Sequence, residues 1–208
     1  MCKVVVAGIG TEVGKTITSA ILTTLFKGDY WKPIQSGEKN PDLDVIAGLL
    51  SSSDHEIYPP AYSFKAPLSP HHAARLENII IDPQKISPPL TNRPLIVEMS
   101  GGIFVPLNKD CLSIDLFQPW DAKWVIVSRH YLGSINHTLL TIEALKNRGV
   151  DILGIVFNGK PNPDSETAIL KFAQILLLGR LLPEKTINSL TIKRYTKKWK
   201  QSGIPLLK

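Results

Sequence analysis

A stretch that ends in Gly14-Lys15-Thr16 has the residue types and order of a phosphate-binding loop. In such a loop, backbone N–H groups and a helix N-terminus face the anion, and glycine lets the backbone approach it closely. Lys15 would contact the β- and γ-phosphates, and the Thr16 hydroxyl would bind Mg²⁺. The usual pattern has its first glycine where Ile9 stands, and here Gly8 lies one residue earlier. Strand, turn, Gly-Lys-Thr and helix in this order still predict a nucleotide-phosphate site.

Further polar residues lie at or near the ends of predicted strands, where ligands bind in a parallel sheet. Lys32 could offset charge that develops during phosphoryl transfer. Asp44 and Glu98 are candidate Mg²⁺ ligands, and Asp42 competes with Asp44 for that role, although either aspartate could be only a helix N-terminal charge. Glu98 ends a buried strand, where an unpaired carboxylate is costly, so a metal partner fits it. Asn158 offers a donor and an acceptor to a purine edge.

The elements that must position these residues follow from apolar runs and helical spacing. Strands are predicted at 4–7, 29–34, 94–99, 124–128, 152–158 and 176–182. Helices are predicted at 17–26, 42–50, 69–77, 135–148 and 164–173, whereas residues 35–41 read as a loop and the proline-rich stretch 51–89 gives no clear strand. Apolar runs that alternate with helices predict one α/β domain over 1–208, with three layers and a mostly parallel sheet covered by helices on both faces.

Composition places the chain among ordinary globular proteins, with 208 residues, 43% hydrophobic residues and a formal net charge of +6. Part of the positive charge lies at 193–200, which could contact nucleic acid or a membrane but reads better as the solvated face of a helix. Cys2 and Cys111 share no short spacing, so neither a disulfide framework nor a zinc site is expected. With no long apolar run and no secretory signal pattern, we expect a cytoplasmic protein with neither nucleic acid nor membrane as a partner.

Five segments carry patterns that occur together in one family. They are residues 8–16, 32–37, 68–71, 97–102 and 132–137. They resemble the dethiobiotin synthetase patterns Gly-Thr-Asp-Thr-x-Val-Gly-Lys-Thr, Lys-Pro-x-x-Ser-Gly, Ser-Pro-His, Val-Glu-Gly-Ala-Gly-Gly and Leu-Gly-x-Ile-Asn-His, in this order. The resemblance extends from residue 4 to about residue 184. It implies a P-loop fold and makes the early first glycine a trait of the family.

The resemblance implies an ATP- and Mg²⁺-dependent cyclo-ligase of biotin biosynthesis that works as a homodimer. Such an enzyme joins 7,8-diaminopelargonic acid and CO₂, supplied as CO₂ or bicarbonate, into the ureido ring of dethiobiotin and releases ADP and phosphate. One amine takes up CO₂ as a carbamate, ATP phosphorylates the carbamate, and the neighbouring amine closes the ring.

The resemblance also implies roles for residues at matching positions. Lys15, Lys32 and Thr11 would be catalytic, Thr11 and Ser36 would hold the diamine end, and Thr16, Asp44 and Glu98 would coordinate Mg²⁺. The substrate's carboxylate tail would bind, in the partner subunit, to Leu132, Gly133, Ser134, Ile135 and Asn136. The residues expected to contact ATP are Glu12, Val13, Gly14, Lys15, Thr16, Ile17, Asp44, Glu98, Met99, Ser100, Gly101, Asn158, Gly159, Leu182, Pro183 and Glu184.

Two alternatives share the phosphate loop. A regulatory or partitioning P-loop ATPase binds partners rather than transforming a metabolite, and the basic residues at 193–200 would then have a purpose. Lys32 with Ser36 and the segment 132–137 favour the enzyme. An amide-forming ligase of similar architecture usually carries an additional glutaminase domain, for which this chain has no room.

Overall fold

The computed structural model describes residues 2–37, 41–50 and 54–204. Its strands are β1 (Lys3–Gly8), β2 (Asp29–Trp31), β3 (Ile34–Ser36), β4 (Ile57–Tyr58), β5 (Tyr62–Phe64), β6 (Leu95–Gly102), β7 (Ala122–Arg129), β8 (Asp151–Asn158) and β9 (Leu177–Leu181). Seven of them form one sheet in the order β4-β2-β6-β1-β7-β8-β9, and every neighbouring pair is parallel. The strands β3 and β5 form a separate parallel pair. Parallel order brings the carboxyl ends of the strands to one edge.

Helices cover both faces of this sheet. They are α1 (Lys15–Phe26), α2 (Pro41–Leu49), α3 (Pro70–Leu76), α4 (Ser113–Phe117), α5 (Ser134–Asn147), α6 (Pro163–Ala173) and α7 (Ser189–Gln201). Alternate residues of β1 point to opposite faces: Val4 and Val6 pack with α1, α2 and α7, whereas Val5 and Ala7 pack with α3, α4, α5 and α6. The sheet is therefore the middle of three layers, which confirms the predicted α/β fold class.

The structure departs from the predicted elements at 29–36. The sequence predicts one strand over 29–34, but β2 ends at Trp31, and a second strand, β3, begins at Ile34 and extends to Ser36, in the predicted loop. Pro33 stands at the break, and proline has no N–H for a strand ladder. The strands β4 and β5, in the stretch where no strand was placed, have two and three residues. Such short segments give almost no alternation from which a strand could be read.

The basic residues at 193–200 lie on the amphipathic helix α7. Its side chains Ile192, Tyr195 and Trp199 are buried against the core, while Lys193 and Lys197 are exposed. The solvated-face interpretation therefore fits the position of the charges. No helix in the described parts of the chain is long and apolar enough to cross a membrane.

Trp199 holds α7 against the edge strand β9. Its side chain is 1% exposed, and its ring lies so close to Gly179 that a Cβ there would come within 2.3 Å of Trp199 Cε2. Real Cβ atoms do not approach other heavy atoms this closely, so the contact requires glycine at position 179.

We therefore expect Gly179→Ala to lower the free energy of unfolding by about 2 kcal/mol, because the added methyl forces Trp199 to move. Urea denaturation measures this. The matched control is Gly48→Ala in α2, where an added Cβ meets no atom within 4 Å, and alanine should stabilise the helix by about 1 kcal/mol. Equal stability of Gly179→Ala and the unchanged protein would contradict a tight contact between α7 and β9.

Candidate active site

The phosphate loop connects β1 to α1 at the carboxyl edge of the sheet. Gly14 has φ of +102°, and a Cβ on it would lie 2.6 Å from Asn158 Nδ2, so both conformation and space require glycine here. Gly14 is also the N-cap of α1 and offers no side chain to cap it. The first N–H groups of α1 thus face the loop without a side-chain acceptor from that position, as an anion site requires.

Glu98 is the centre of a buried polar cluster beside this loop. Its side chain is 1% exposed. The Thr16 hydroxyl lies 2.9 Å from Glu98 Oε1, the Lys32 ammonium lies 3.4 Å from the same oxygen, and the Tyr30 hydroxyl donates to Oε2 at 2.9 Å. Asp42 also contacts this cluster, through an ion pair with Lys32 and an oxygen 3.1 Å from the Thr16 hydroxyl. Each buried charge has an opposite charge or a hydroxyl beside it, which offsets the cost of desolvation.

The two lysines of the site have opposite electrostatic surroundings. Burial lowers the pKa of Lys15 to about 8, with Lys32 adding to the fall, although Glu98 and Asp42 oppose it. Burial is also the largest influence on Lys32, but Glu98 and Asp42 together outweigh it and raise the pKa of that lysine above its usual value. Asp42 is likewise buried enough to favour its neutral form, yet Lys32 and Thr16 lower its pKa. Lys32 and Asp42 therefore stay charged, while Lys15 titrates near pH 8.

The structure decides between the two aspartates. Asp42 reaches Thr16 and Lys32, whereas Asp44 is exposed on α2 and is absent from the described lining of the phosphate-loop cavity. The two positions differ by about 200° around a helix axis, so only one of them can face the loop. Of the two aspartates between which the sequence left the choice open, Asp42 lies beside Thr16 and Lys32, and Asp44 does not.

The oxygen atoms of Thr16, Asp42 and Glu98 fit a magnesium ion. Mg²⁺ in nucleotide sites usually takes one or two carboxylates and a hydroxyl, with water and phosphate completing six ligands. Within the described residues, no group of three or more His, Cys, Asp and Glu side chains could enclose a metal. An open site of two carboxylates and one hydroxyl is therefore the kind of metal site that this cluster could form.

Two cavities adjoin the cluster and share residues with each other. The phosphate-loop cavity, of about 330 Å³, is lined by Thr11, Glu12, Gly14, Lys15, Thr16, Ile17, Lys32, Asp42, Glu98, Gly101 and Asn158. A second cavity, of about 690 Å³, shares Thr11, Glu12, Lys32, Asp42 and Gly101 with it and extends to Ser36 and to the Ser69–Pro70 turn. Lys32 thus stands between the two cavities.

Two buried polar atoms belong to residues that line the second cavity and have no hydrogen-bond partner in the described structure. They are Gln35 Oε1 and Ser36 Oγ. Buried polar atoms without partners are uncommon in folded proteins, and each calls for an explanation such as a functional role or a bound water or ion. Amine N–H groups of a ligand could satisfy both, since an amide oxygen accepts only and a hydroxyl can accept.

A narrow cavity of about 70 Å³ continues from the phosphate loop on the side of β9. It shares Gly14, Ile17 and Asn158 with the phosphate-loop cavity and is further lined by Leu181, Leu182, Glu184, Ile187, Thr191 and Tyr195. The Asn158 amide donates to the Val13 carbonyl at 2.8 Å, which leaves its own oxygen available as an acceptor. Asn158, Leu182 and Glu184, which the resemblance places near ATP, thus line one cavity. Val13 itself is buried and offers its backbone.

The residues predicted to hold the substrate tail lie elsewhere. Leu132, Gly133, Ser134, Ile135 and Asn136 line a wide cavity of about 1030 Å³ at the start of α5, together with Gly159 and Pro183. None of these seven residues is among those that line the phosphate-loop cavity. Gly159 and Pro183, expected near ATP, therefore border the predicted tail site instead.

Two residues of the segment after Glu98 do not line the phosphate-loop cavity. Met99 is 0% exposed and packs in the core, because successive residues of β6 alternate between faces. The Met99 side chain therefore points away from the phosphate-loop cavity, and only its backbone could take part in the predicted ATP contact. Ser100 lines the second cavity, and its hydroxyl donates to the Ile34 carbonyl.

Sequence reasoning missed Tyr30 and Gln35. Tyr30 lies opposite Ile96 in the pairing of β2 with β6, and Ile96 shares a face with Glu98 two residues on. Burial and the Glu98 carboxylate raise the pKa of Tyr30 well above its usual value, so it remains a hydrogen-bond donor. Its place beside Trp31 at the start of a predicted strand was the only signal for it. Gln35 sits inside the predicted Lys-Pro-x-x-Ser-Gly pattern and had no separate signal.

Known structures share this fold. The septum site-determining protein MinD from Pyrococcus horikoshii, complexed with Mg-ADP, superposes with a TM-score of 0.60 at 14% identity and covers 96% of this chain and 89% of its own. A ParA family ATPase from Chlorobium tepidum gives a TM-score of 0.58 at 12% identity, covering 94% and 98%. Identities this low show a common P-loop fold and nothing more specific.

Sequence relatives are much closer. An AAA domain family model matches residues 2–190. The ATP-dependent dethiobiotin synthetase of Christiangramia forsetii is 43% identical over 197 residues, which cover 94% of this chain and 95% of that protein. The enzyme of the same name from Chlamydia felis is 45% identical over 199 residues, covering 96% and 94%. Identity at this level over nearly the full length of both chains places this protein in the ATP-dependent dethiobiotin synthetase family.

Proposed function

We propose that this chain joins 7,8-diaminopelargonic acid and CO₂ into dethiobiotin, with conversion of ATP to ADP and phosphate. The observation that carries the proposal is the position of Lys32 between the phosphate-loop cavity and the second cavity. A protein that only hydrolyses ATP needs a place for one water molecule beside the γ-phosphate. A second cavity of about 690 Å³ with two unpartnered buried acceptors suits transfer to a bound molecule instead.

In this proposal, the phosphates of ATP lie on the N-terminus of α1, and Lys15 turns toward them from its present partner. In the structure its ammonium donates to the Gly10 carbonyl at 2.7 Å. Phosphate oxygens would replace that carbonyl and favour the charged form of the ammonium. Mg²⁺, bound by Thr16, Asp42 and Glu98, would neutralise charge on the phosphates.

The diamine lies in the second cavity, with its amines near Thr11, Gln35 and Ser36. One amine attacks CO₂ and passes a proton to water, which gives a carbamate anion. Lys32 is held charged by Asp42 and Glu98, and it stabilises first the carbamate and then the phosphoryl group that passes to the carbamate oxygen. The second amine then attacks the carbamoyl carbon, phosphate leaves, and the ureido ring closes.

The predicted tail site and the cavity proposed for the diamine have separate linings, and the two approach each other where Arg129 of the tail site donates to the Glu12 carbonyl of the phosphate loop at 3.3 Å. In this proposal the tail of one substrate molecule binds the 132–136 segment of the partner subunit in a homodimer. Backbone N–H groups at the start of α5 suit a carboxylate. Leu132 is fully exposed and Phe172 is 71% exposed, and apolar residues of this kind are common at interfaces between subunits.

Two free thiols, Cys2 and Cys111, accord with a cytoplasmic location.

The first test measures ADP release by the purified protein with ATP, Mg²⁺ and bicarbonate, with and without the diamine. We expect release that requires the diamine and one dethiobiotin for each ADP. Lys15→Gln should lower the rate by at least about a hundredfold, because the phosphates lose a positioned charge. The control Lys109→Gln removes a lysine whose side chain is 90% exposed and should have no effect. Slow hydrolysis that is indifferent to the diamine would instead favour a partner-binding ATPase.

A second prediction separates the two aspartates. Asp42→Asn should raise the Mg²⁺ concentration that gives half-maximal rate by about tenfold or more, because a carboxylate beside Thr16 and Glu98 is lost. Asp44→Asn is the matched control, two residues along the same helix, and should leave the Mg²⁺ dependence unchanged. A Mg²⁺ titration of the rate measures both. The reverse result would restore Asp44 as the ligand and would refute the position of Asp42 in the site.

A third prediction concerns pH. Lys15 has a pKa of about 8 in the free protein, and phosphate contacts should raise that pKa. Binding of ADP at pH 8 should therefore take up about half a proton, and the affinity should weaken as the pH rises above 8. Calorimetry in two buffers of different ionisation enthalpy measures the uptake. Lys15→Gln removes the titrating group, so an equal uptake in this variant would show that another group is responsible.

A further inference from the structure

The wall of the narrow cavity beside β9 is tied to the C-terminal helix by one tyrosine. The Tyr195 hydroxyl accepts a hydrogen bond from the Leu182 N–H at 3.0 Å and donates to Glu184 Oε1 at 2.7 Å. Leu182 and Glu184 both line the cavity that continues from the phosphate loop. One buried hydroxyl thus fixes a backbone amide and a carboxylate in the segment that leaves β9.

Arg194, the residue before Tyr195, also binds Glu184. Its guanidinium donates to Glu184 Oε1 at 2.5 Å and lies 5.5 Å from the centre of the Tyr195 ring. The carboxylate is therefore held by two donors from α7. Its orientation depends on the helix, since both donors belong to α7.

The helix itself has a fixed position. Trp199, one turn after Tyr195, packs on Gly179 in β9. The rings of Tyr195 and Trp199 meet nearly edge to face, with 6.4 Å between their centres. The start of α7 is capped by Asn188, which accepts from the Thr191 N–H at 3.1 Å. Thr191 lines the narrow cavity as well. A helix anchored at both ends can hold the 182–184 segment at a constant distance from the phosphate loop.

The narrow cavity is the continuation of the nucleotide site. It shares Gly14, Ile17 and Asn158 with the phosphate-loop cavity. A nucleotide with its phosphates on the loop would therefore direct its base toward Leu182 and Glu184. A base is recognised by polar groups that are held in place. If the wall of the cavity were mobile, ordering it around the base would cost conformational entropy and weaken binding.

We propose that Tyr195 is a positioning residue for the nucleotide base, acting through Leu182 and Glu184, so that α7 belongs to the nucleotide site. The proposal rests on the proposed function insofar as it assigns a nucleotide to the phosphate loop. It gives a role to the buried face of α7. The basic residues of the helix face solvent and are not needed for that role.

The variant Tyr195→Phe tests this, because it keeps the ring on Trp199 and removes only the hydroxyl. The Leu182 N–H then lacks its acceptor and Glu184 keeps Arg194 alone. We expect the Kd for ADP, measured by calorimetry without the diamine, to rise about tenfold, because the 182–184 segment is no longer held in place before the base binds. The Kd for pyrophosphate, which has no base, should be unchanged. In turnover, the KM for ATP should rise while kcat and the KM for the diamine stay the same.

Two further variants act as controls. Arg194→Gln leaves the bond between Tyr195 and Leu182 intact and should raise the Kd for ADP less than Tyr195→Phe does. Lys197→Ala removes an exposed charge from the same helix and should change neither affinity. Thermal unfolding checks that Tyr195→Phe remains folded at the assay temperature.

An unchanged Kd for ADP in Tyr195→Phe would overturn the proposal. Equal losses of affinity for ADP and pyrophosphate would do so too, because they would indicate a general disturbance of the loop. The two binding measurements need no diamine. If dethiobiotin were not formed by the unchanged protein, the proposed function would fail while the difference between ADP and pyrophosphate would still decide the role of Tyr195.

Discussion

The buried carboxylate of Glu98 is the constraint on which the site depends. It lies in the middle of the central strand β6, where water cannot stabilise its charge, so the protein must supply partners. The partners come from three places: Thr16 from α1, Tyr30 from β2 and Lys32 from the residue after β2. Fixing one charge therefore fixes the phosphate loop, its neighbouring strand and the second lysine relative to one another. Asp42 adds a second carboxylate beside Lys32, and this ion pair brings α2 to the cluster.

The same cluster gives the two lysines different properties. Lys32 has two carboxylates beside it and stays charged, whereas Lys15 donates to a neutral carbonyl and is more easily deprotonated. A permanently charged group suits a position between two cavities, where negative charge moves from one ligand to the other. Lys15 suits the loop, because bound phosphates would place an opposite charge beside its ammonium. The pKa values of the two ammonium groups thus differ because their neighbours differ, although both belong to lysines.

The C-terminal helix shows how one element can serve two physical purposes. Its apolar face extends the core over β9, and its lysines keep the opposite face hydrated. The positive charge of the sequence is thereby explained in part by a surface helix. The buried face reaches the 182–184 segment through Tyr195, at the narrow cavity that adjoins the phosphate loop.

Sequence by itself determined the α/β fold class, the phosphate loop, the family and the approach of Lys32, Glu98 and Asn158 to the loop. These features depend on local patterns: apolar runs, a glycine turn before a helix, and polar residues at strand ends. Tertiary structure alone decided that Asp42 and not Asp44 faces Thr16, because that choice depends on how α2 is rotated about its axis. It alone decided that Met99 points into the core, that Tyr30 binds Glu98 and that Tyr195 binds Leu182 and Glu184. Each of these depends on contacts between residues far apart in the chain, which neither spacing nor composition encodes.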